Sequence, residues 1–270
     1  TSITGIVKQV GIYSLGNISV ALLNFLLLTL YARQFSISEY GVLALYEFTA
    51  QFLITALPLG IPQAMLRWGA EAKTREELSK VITATVFVIG VITLLFLVIV
   101  APVYSWLGHK LYGVEVITFI NASILLVYVV LEAFNQATFV FYQLRHKPMS
   151  YAISLFFKLS VNLAITLYTV IGLKLGIQGV LLGMLGGSIV FTLLSSLPLM
   201  RLLTFRPDKE LMKEMVKYSA PIALSILAYI GLTLFDRFIL EHYRGSAEVG
   251  VYSLGIKMTG IVSMFILSPF

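Results

Sequence analysis

Three stretches of this chain carry no formal charge: those between Lys8 and Arg33, between Lys80 and Lys110, and between Lys174 and Arg201. Each exceeds the roughly 20 residues that an α-helix needs to cross about 30 Å of hydrocarbon. Few folds accept such runs. In lipid every backbone N–H and C=O must be satisfied by protein, which leaves helices or a closed barrel. A barrel would show short alternating segments of about ten residues, and none are evident. With 59% hydrophobic and only 12% charged residues, a water-soluble globule would also lack the polar surface to cover itself. The chain is therefore expected to be all-α, a polytopic transmembrane helical bundle.

Apolar runs set against charged or turn-forming breaks predict eight spans. These are Val10 to Ala32, Gly41 to Leu66, Val81 to Trp106, Val116 to Leu144, Met149 to Leu173, Ile177 to Met200, Tyr218 to Leu240 and Val249 to Phe270. With the N-terminus in the cytoplasm, twelve loop lysines and arginines fall inside, and four (Arg33, Lys110, Lys174 and Arg244) fall outside. That asymmetry follows the positive-inside rule and predicts a multi-pass protein of the cytoplasmic (inner) cell membrane. It also accounts for the net charge of +6. The basic residues are spread over several loops without an aromatic-interleaved patch, so no nucleic-acid partner is expected.

The chain has no cysteine, which removes disulfides and thiolate metal sites. It opens Thr-Ser-Ile and closes inside an apolar run, as an N-terminal fragment of a longer protein would, and no cleavable signal peptide is visible. The longest inside connection runs from Arg201 to Lys217. Pro207 and Asp208 supply a stop and a cap, and Leu211, Met212, Met215 and Val216 share one helical face. The pattern predicts an interfacial linker helix over 204–217, lying against membrane lipids or serving as an ordinary amphipathic connector.

Shifting the chain on itself by 209 residues places Glu39-Tyr-Gly41-Val-Leu-Ala-Leu45 over Glu248-Val-Gly250-Val-Tyr-Ser-Leu254. Four identities in so short a window are weak alone. Both copies, however, fall at the outside turn before a span, with six spans between equivalent points, so the copies keep one orientation. A parallel repeat of six-helix lobes follows, an arrangement in which transporters place their substrate route between lobes. The expected organisation is a first lobe over 1–203, the linker over 204–217, and the first two helices of a second lobe over 218–270.

Several of these residues together resemble a known family. They are the run from Tyr31 to Tyr46 (YARQFSISEYGVLALY), the Pro58/Pro62 pair, the Tyr218-Ser-Ala-Pro221 entry, Asp236-Arg237-Phe-Ile-Leu240, and Gly250 to Lys257 (GVYSLGIK). The chain resembles the polysaccharide transporter family, which includes the O-antigen flippases of the multidrug/oligosaccharidyl-lipid/polysaccharide exporter superfamily. The resemblance covers the whole chain. It implies two six-helix lobes facing each other in a V, of which this length supplies one and the beginning of the next. It also implies flipping of polyprenyl-(pyro)phosphate-linked oligosaccharides by alternating access without ATP hydrolysis, with polysaccharide-assembly membrane proteins as further partners.

Six ionisable residues lie within the predicted spans: Glu47, Glu132, Lys158, Asp236, Arg237 and Lys257. Burying each costs several kcal/mol unless it is paired or faces water, so they mark the expected transport route. Lys158 is a candidate phosphate contact, or else the partner of Glu132 in a buried ion pair. Arg237 offers the same contact, but Glu241 one turn on would neutralise it locally. Lys257 is the third candidate cation for the substrate phosphate. Glu47, Glu132 and Asp236 are candidates for ion coupling or for structural pairs such as Glu47 with Lys257, near-equivalent positions of the repeat.

Gly176, Gly179, Gly183, Gly186 and Gly187 give a small-residue face for helix association, and Pro58 and Pro62 predict a bend near the inner end of the second span. Tyr104, Trp106, Tyr112, Trp68, Tyr142 and Tyr151 sit where interfacial anchors belong. No phosphate-binding Gly-rich loop or His-Glu-x-x-His pattern is present, and His109, His146 and His242 are scattered, so neither an enzyme nor a cofactor or metal is expected. Three functions stay open: a lipid-linked oligosaccharide flippase, a cation-coupled multidrug exporter of related architecture, and a non-transporting scaffold. Cations inside the cavity favour an anionic cargo.

Overall fold

The computed structural model describes residues 26–112, 119–204 and 206–266. Lys8, the opening of the first span at Val10, the start of the fourth at Val116 and the close of the eighth at Phe270 lie outside the described residues. So do the side chains of Tyr104, Trp106, Lys110 and Tyr112.

The described chain is helical throughout its ordered elements. Helix α1 is described over 26–34. It is followed by α2 (Ile37–Ala56), α3 (Ile61–Glu71), α4 (Arg75–Tyr112), α5 (Phe119–Leu144), α6 (Pro148–Leu167), α7 (Ile177–Ser195), the single turn α8 (Leu197–Met200), α9 (Lys209–Arg244) and α10 (Ser246–Ile266). Among the described residues five helices are long and apolar enough to cross a membrane, or six if α2 and α3 count as one broken span. Large apolar side chains such as Leu94, Val98, Leu224 and Leu232 stand exposed on them. Lipid tails solvate such side chains as readily as a protein core does.

Two compact units are formed. Unit one comprises Thr1–Glu47, Lys147–Phe191 and Arg237–Phe270; unit two comprises Phe48–His146 and Thr192–Asp236. The divisions fall within α2, α7 and α9, so single continuous helices contribute to both units.

In unit two the expected bend of the second span is a 41° break between α2 and α3. Pro58 has no N–H, so the Ile54 carbonyl one turn back loses its helical donor. The Gln136 side-chain amide of α5 donates to that carbonyl at 2.7 Å. Gly60 then turns the chain with φ +73°, and a proline in the first turn starts α3. Ser219 of α9 donates to the Gly60 carbonyl at 3.1 Å, holding the break from the other side.

The stretch expected as a separate linker differs. Asp208 does cap a helix, its Oδ1 accepting the amides of Glu210 and Leu211 at 3.1 Å. That helix, however, runs without interruption for 36 residues as α9. Pro221 removes one backbone donor, and no Gly or other breaker separates Lys217 from Tyr218, so the helix continues.

In unit one the small-residue face of α7 packs on α6. A Cβ at Gly183 would overlap the Thr166 hydroxyl, and one at Gly187 would lie 2.5 Å from the Lys158 carbonyl oxygen. Without a hydrophobic drive between helices in lipid, such close approach supplies the association energy.

The repeat-related helices α2 and α10 also meet in unit one. A Cβ at Gly41 would overlap the carbonyl oxygen of Ser246, and one at Gly250 would overlap that of Ile37. Residues 37 and 246 are themselves related by the 209-residue offset, as are 41 and 250, so the crossing is reciprocal. The Ser38 and Ser246 hydroxyls hydrogen-bond beside it at 2.9 Å.

Candidate functional site

Helices α1, α2 and α7 and the π-helical turn Tyr168–Gly172 share in unit one an apolar cluster of Leu27, Leu28, Leu30, Leu43, Val170 and Val180, with Tyr31 and Tyr40 buried among them. The two tyrosine rings lie 6.5 Å apart. Against this cluster α10 places Lys257, whose Nζ donates to Glu47 Oε2 of α2 at 2.5 Å. The same ammonium lies 5.5 Å from the Tyr40 ring centroid and 5.8 Å from that of Tyr31. Of the alternatives open for Glu47 and Lys257, the ion pair is what forms in this structure. The partners stand 210 residues apart, one more than the repeat offset, so they are close to equivalent positions without coinciding.

The other two candidate cations of unit one are also laid over aromatic rings. Arg237 of α9 is 4% exposed, with its guanidinium carbon 5.7 Å from the Tyr252 ring centroid on α10. Lys158 of α6 has its Nζ 5.5 Å from the Phe191 centroid on α7, and Tyr151 packs edge-on against the same ring at 5.7 Å. A cation over an aromatic face is attracted by the ring quadrupole, by about 2 kcal/mol or more once water is removed.

Glu241 lies one turn further along α9 from Arg237, and its Oε2 is buried and meets no hydrogen-bond donor among the described residues.

Glu132 and Asp236 belong to unit two. Glu132 Oε1 accepts from the Asn135 amide at 3.3 Å, and Asn135 Oδ1 in turn accepts from Thr192 at 3.0 Å. The seam between α5 and the end of α7 continues with Thr138 and Ser196 at 3.4 Å and with Tyr142, whose hydroxyl donates to the Ser195 carbonyl at 3.3 Å. Each of these links spares a polar group from facing hydrocarbon unmatched. Sequence reasoning singled out Glu132 and missed its neutral companions. Asn135, Thr138 and Tyr142 follow a three-and-four spacing along one face of α5, a signal that neutral polar residues do carry. Reasoning from the sequence also missed Tyr31, Tyr40, Tyr252 and Phe191 as seats for the cations.

Among the described residues no group of three or more His, Cys, Asp or Glu side chains is arranged to hold a metal ion.

The family model described as polysaccharide biosynthesis protein matches residues 6–270. Two solved structures share the fold. One, described as the inward-facing conformation of a multidrug resistance MATE family transporter of the MOP superfamily, superposes with a TM-score of 0.76 at 15% identity, over 94% of this chain. The other, described as protein A, superposes with a TM-score of 0.65 at 15% identity, over 99% of this chain. This chain spans 63% of the length of each. No curated relative matches.

Proposed function

This chain belongs to the polysaccharide biosynthesis protein family, and we propose that it forms part of a membrane transporter that flips a polyprenyl-(pyro)phosphate-linked oligosaccharide from the cytoplasmic to the outer leaflet. In this reading residues 1–203 form the first lobe, 204–217 connect, and 218–270 begin the second. The protein sits in the inner membrane with its N-terminus in the cytoplasm, works by alternating access, and carries out no chemistry on its cargo.

The observation that carries the reading is the seating of Lys158 and Arg237 over Phe191 and Tyr252 inside apolar helices. A pyrophosphate brings concentrated negative charge, and a cation kept in low dielectric attracts it far more strongly than one in water. Lys257 becomes a third contact if the cargo phosphate takes the place of Glu47, one anion exchanging for another.

The test replaces Lys158 and Arg237 separately by alanine in the full-length protein and measures surface glycan display at matched expression. Display should fall in both variants. Normal display in both would overturn the phosphate contacts.

A second reading, cation-coupled multidrug export, is favoured by one feature. Glu241 presents a buried carboxylate oxygen without a donor, a place where a proton or sodium ion would be held. Drug efflux that survives Lys158→Ala but is lost in Glu241→Gln would favour it.

A further inference from the structure

The end of unit two where α3 closes and α9 begins holds an arginine in an unusual seat. Trp68 of α3 and Tyr218 of α9 pack edge to face, with centroids 5.3 Å apart and an interplanar angle of 85°. The Arg67 guanidinium occupies the corner between them, its carbon 5.0 Å from the Trp68 centroid and 4.7 Å from that of Tyr218. Aromatic contact of this kind uses up none of the guanidinium's hydrogen-bonding capacity. The N–H donors lie along the edges. Among the described residues none of them has a hydrogen-bond acceptor, since Glu71 approaches Nε only to 3.8 Å. The Arg67 side chain is 50% exposed, so those edges are accessible.

The surroundings keep this donor fork open. Near this end α4 is tied to the connection that leads into α9 by Ser79 donating to the Leu202 carbonyl and by the Thr83 and Thr204 hydroxyls at 3.2 Å. Three of the other acids at this end are already engaged. Glu77 accepts the backbone amides of Lys73 and Thr74, Asp208 caps α9, and Glu76 pairs with Lys80 at 3.0 Å. Glu71 is itself largely exposed, and an ion pair of that kind is easily displaced. Trp and Tyr rings stacked this way settle at the boundary between hydrocarbon and water, which is the depth of lipid phosphates.

We infer that Arg67, held by Trp68 and Tyr218, is a binding site for a phosphate group carried on a membrane lipid. A planar guanidinium fork with its N–H groups exposed meets two phosphate oxygens at once, which a lysine ammonium does not do. The inference stands apart from the transport reading, because an anionic phospholipid and a polyprenyl diphosphate offer the same oxygens.

The experiment uses the full chain with Trp106→Phe in phosphatidylcholine nanodiscs. Of the two tryptophans in this sequence this leaves Trp68, read by exciting the red edge of the indole band where tyrosine does not absorb. Phosphatidylglycerol, a polyprenyl diphosphate and inorganic phosphate are titrated in turn. A saturable change with either lipid is expected. Lys73→Ala should leave it unchanged, Arg67→Lys should weaken it about tenfold through loss of one charge-assisted hydrogen bond, and Arg67→Ala should abolish it. A response to phosphatidylglycerol equal to that of the diphosphate assigns the site to bulk headgroups; response to the diphosphate alone assigns it to a polyprenyl carrier. Equal affinity in wild type, Arg67→Lys and Arg67→Ala, each eluting as a single species, overturns the site. So does binding of inorganic phosphate with neither lipid.

Discussion

Unit one packs charged side chains between helices against aromatic rings: Lys257 with Glu47, Tyr31 and Tyr40, and Arg237 with Tyr252. In the α5–α7 seam of unit two most are amides and hydroxyls: Asn135 with Thr192, Thr138 with Ser196, and Tyr142 with a backbone carbonyl. The two solutions carry different risks. A charge taken from water needs its partner strongly, and removing that partner leaves an uncompensated ion. A neutral hydrogen bond in a membrane bundle contributes little, because the unfolded segments in lipid find other partners. The seam is suited to holding helices in place, whereas the charged cluster stores an interaction large enough to be traded for a ligand.

That contrast can be broken by mutation. Glu47→Ala should have the largest effect, destabilising the protein by about 3–5 kcal/mol in thermal unfolding in detergent micelles. Adding Lys257→Met should recover most of the loss; if the double variant is as unstable as the single, the ion pair is not what the carboxylate serves. Gln136→Ala should cost about 1–3 kcal/mol, since it strips the Ile54 carbonyl of the donor that stands in for the missing N–H of Pro58. Restoring that N–H with Pro58→Ala in the same chain should blunt the effect. Within the seam, Thr192→Val should cost only about 0.6 kcal/mol. A loss as large as that of Glu47→Ala would erase the distinction between the two regions. Smallest of all, Ser38→Ala removes one hydroxyl pair at an exposed helix start and should change stability by no more than about 0.5 kcal/mol.

Six of the eight expected spans, counting the broken pair of α2 and α3 as one, were legible because hydrocarbon imposes a length and excludes charge, and both are counted directly along a chain. The bend at Pro58 was legible for a similar reason, since a missing N–H acts locally. The continuity of α9 was not, because an amphipathic opening and an apolar continuation differ in composition while their backbone geometry is the same. At the site, charged residues in apolar runs announced themselves by their cost. Tyr31, Tyr40, Tyr252 and Phe191 did not, because an aromatic ring in a membrane helix looks like any other apolar residue until a cation is laid on its face. The distant pairing of Glu47 with Lys257 was suggested only through the repeat.

The reciprocal crossing at Gly41 and Gly250 bears on why that repeat is visible where it is. Over most of their length two copies of a repeated segment are free to drift apart, each adapting to its own neighbours. Here each copy is the other's neighbour: a methyl group on either glycine would strike the opposite backbone. The two positions are bound to a common fate, and a change in one is tolerated only with a shift in the helix that carries the other. The few identities that still betray the repeat stand where the halves of the sequence police each other.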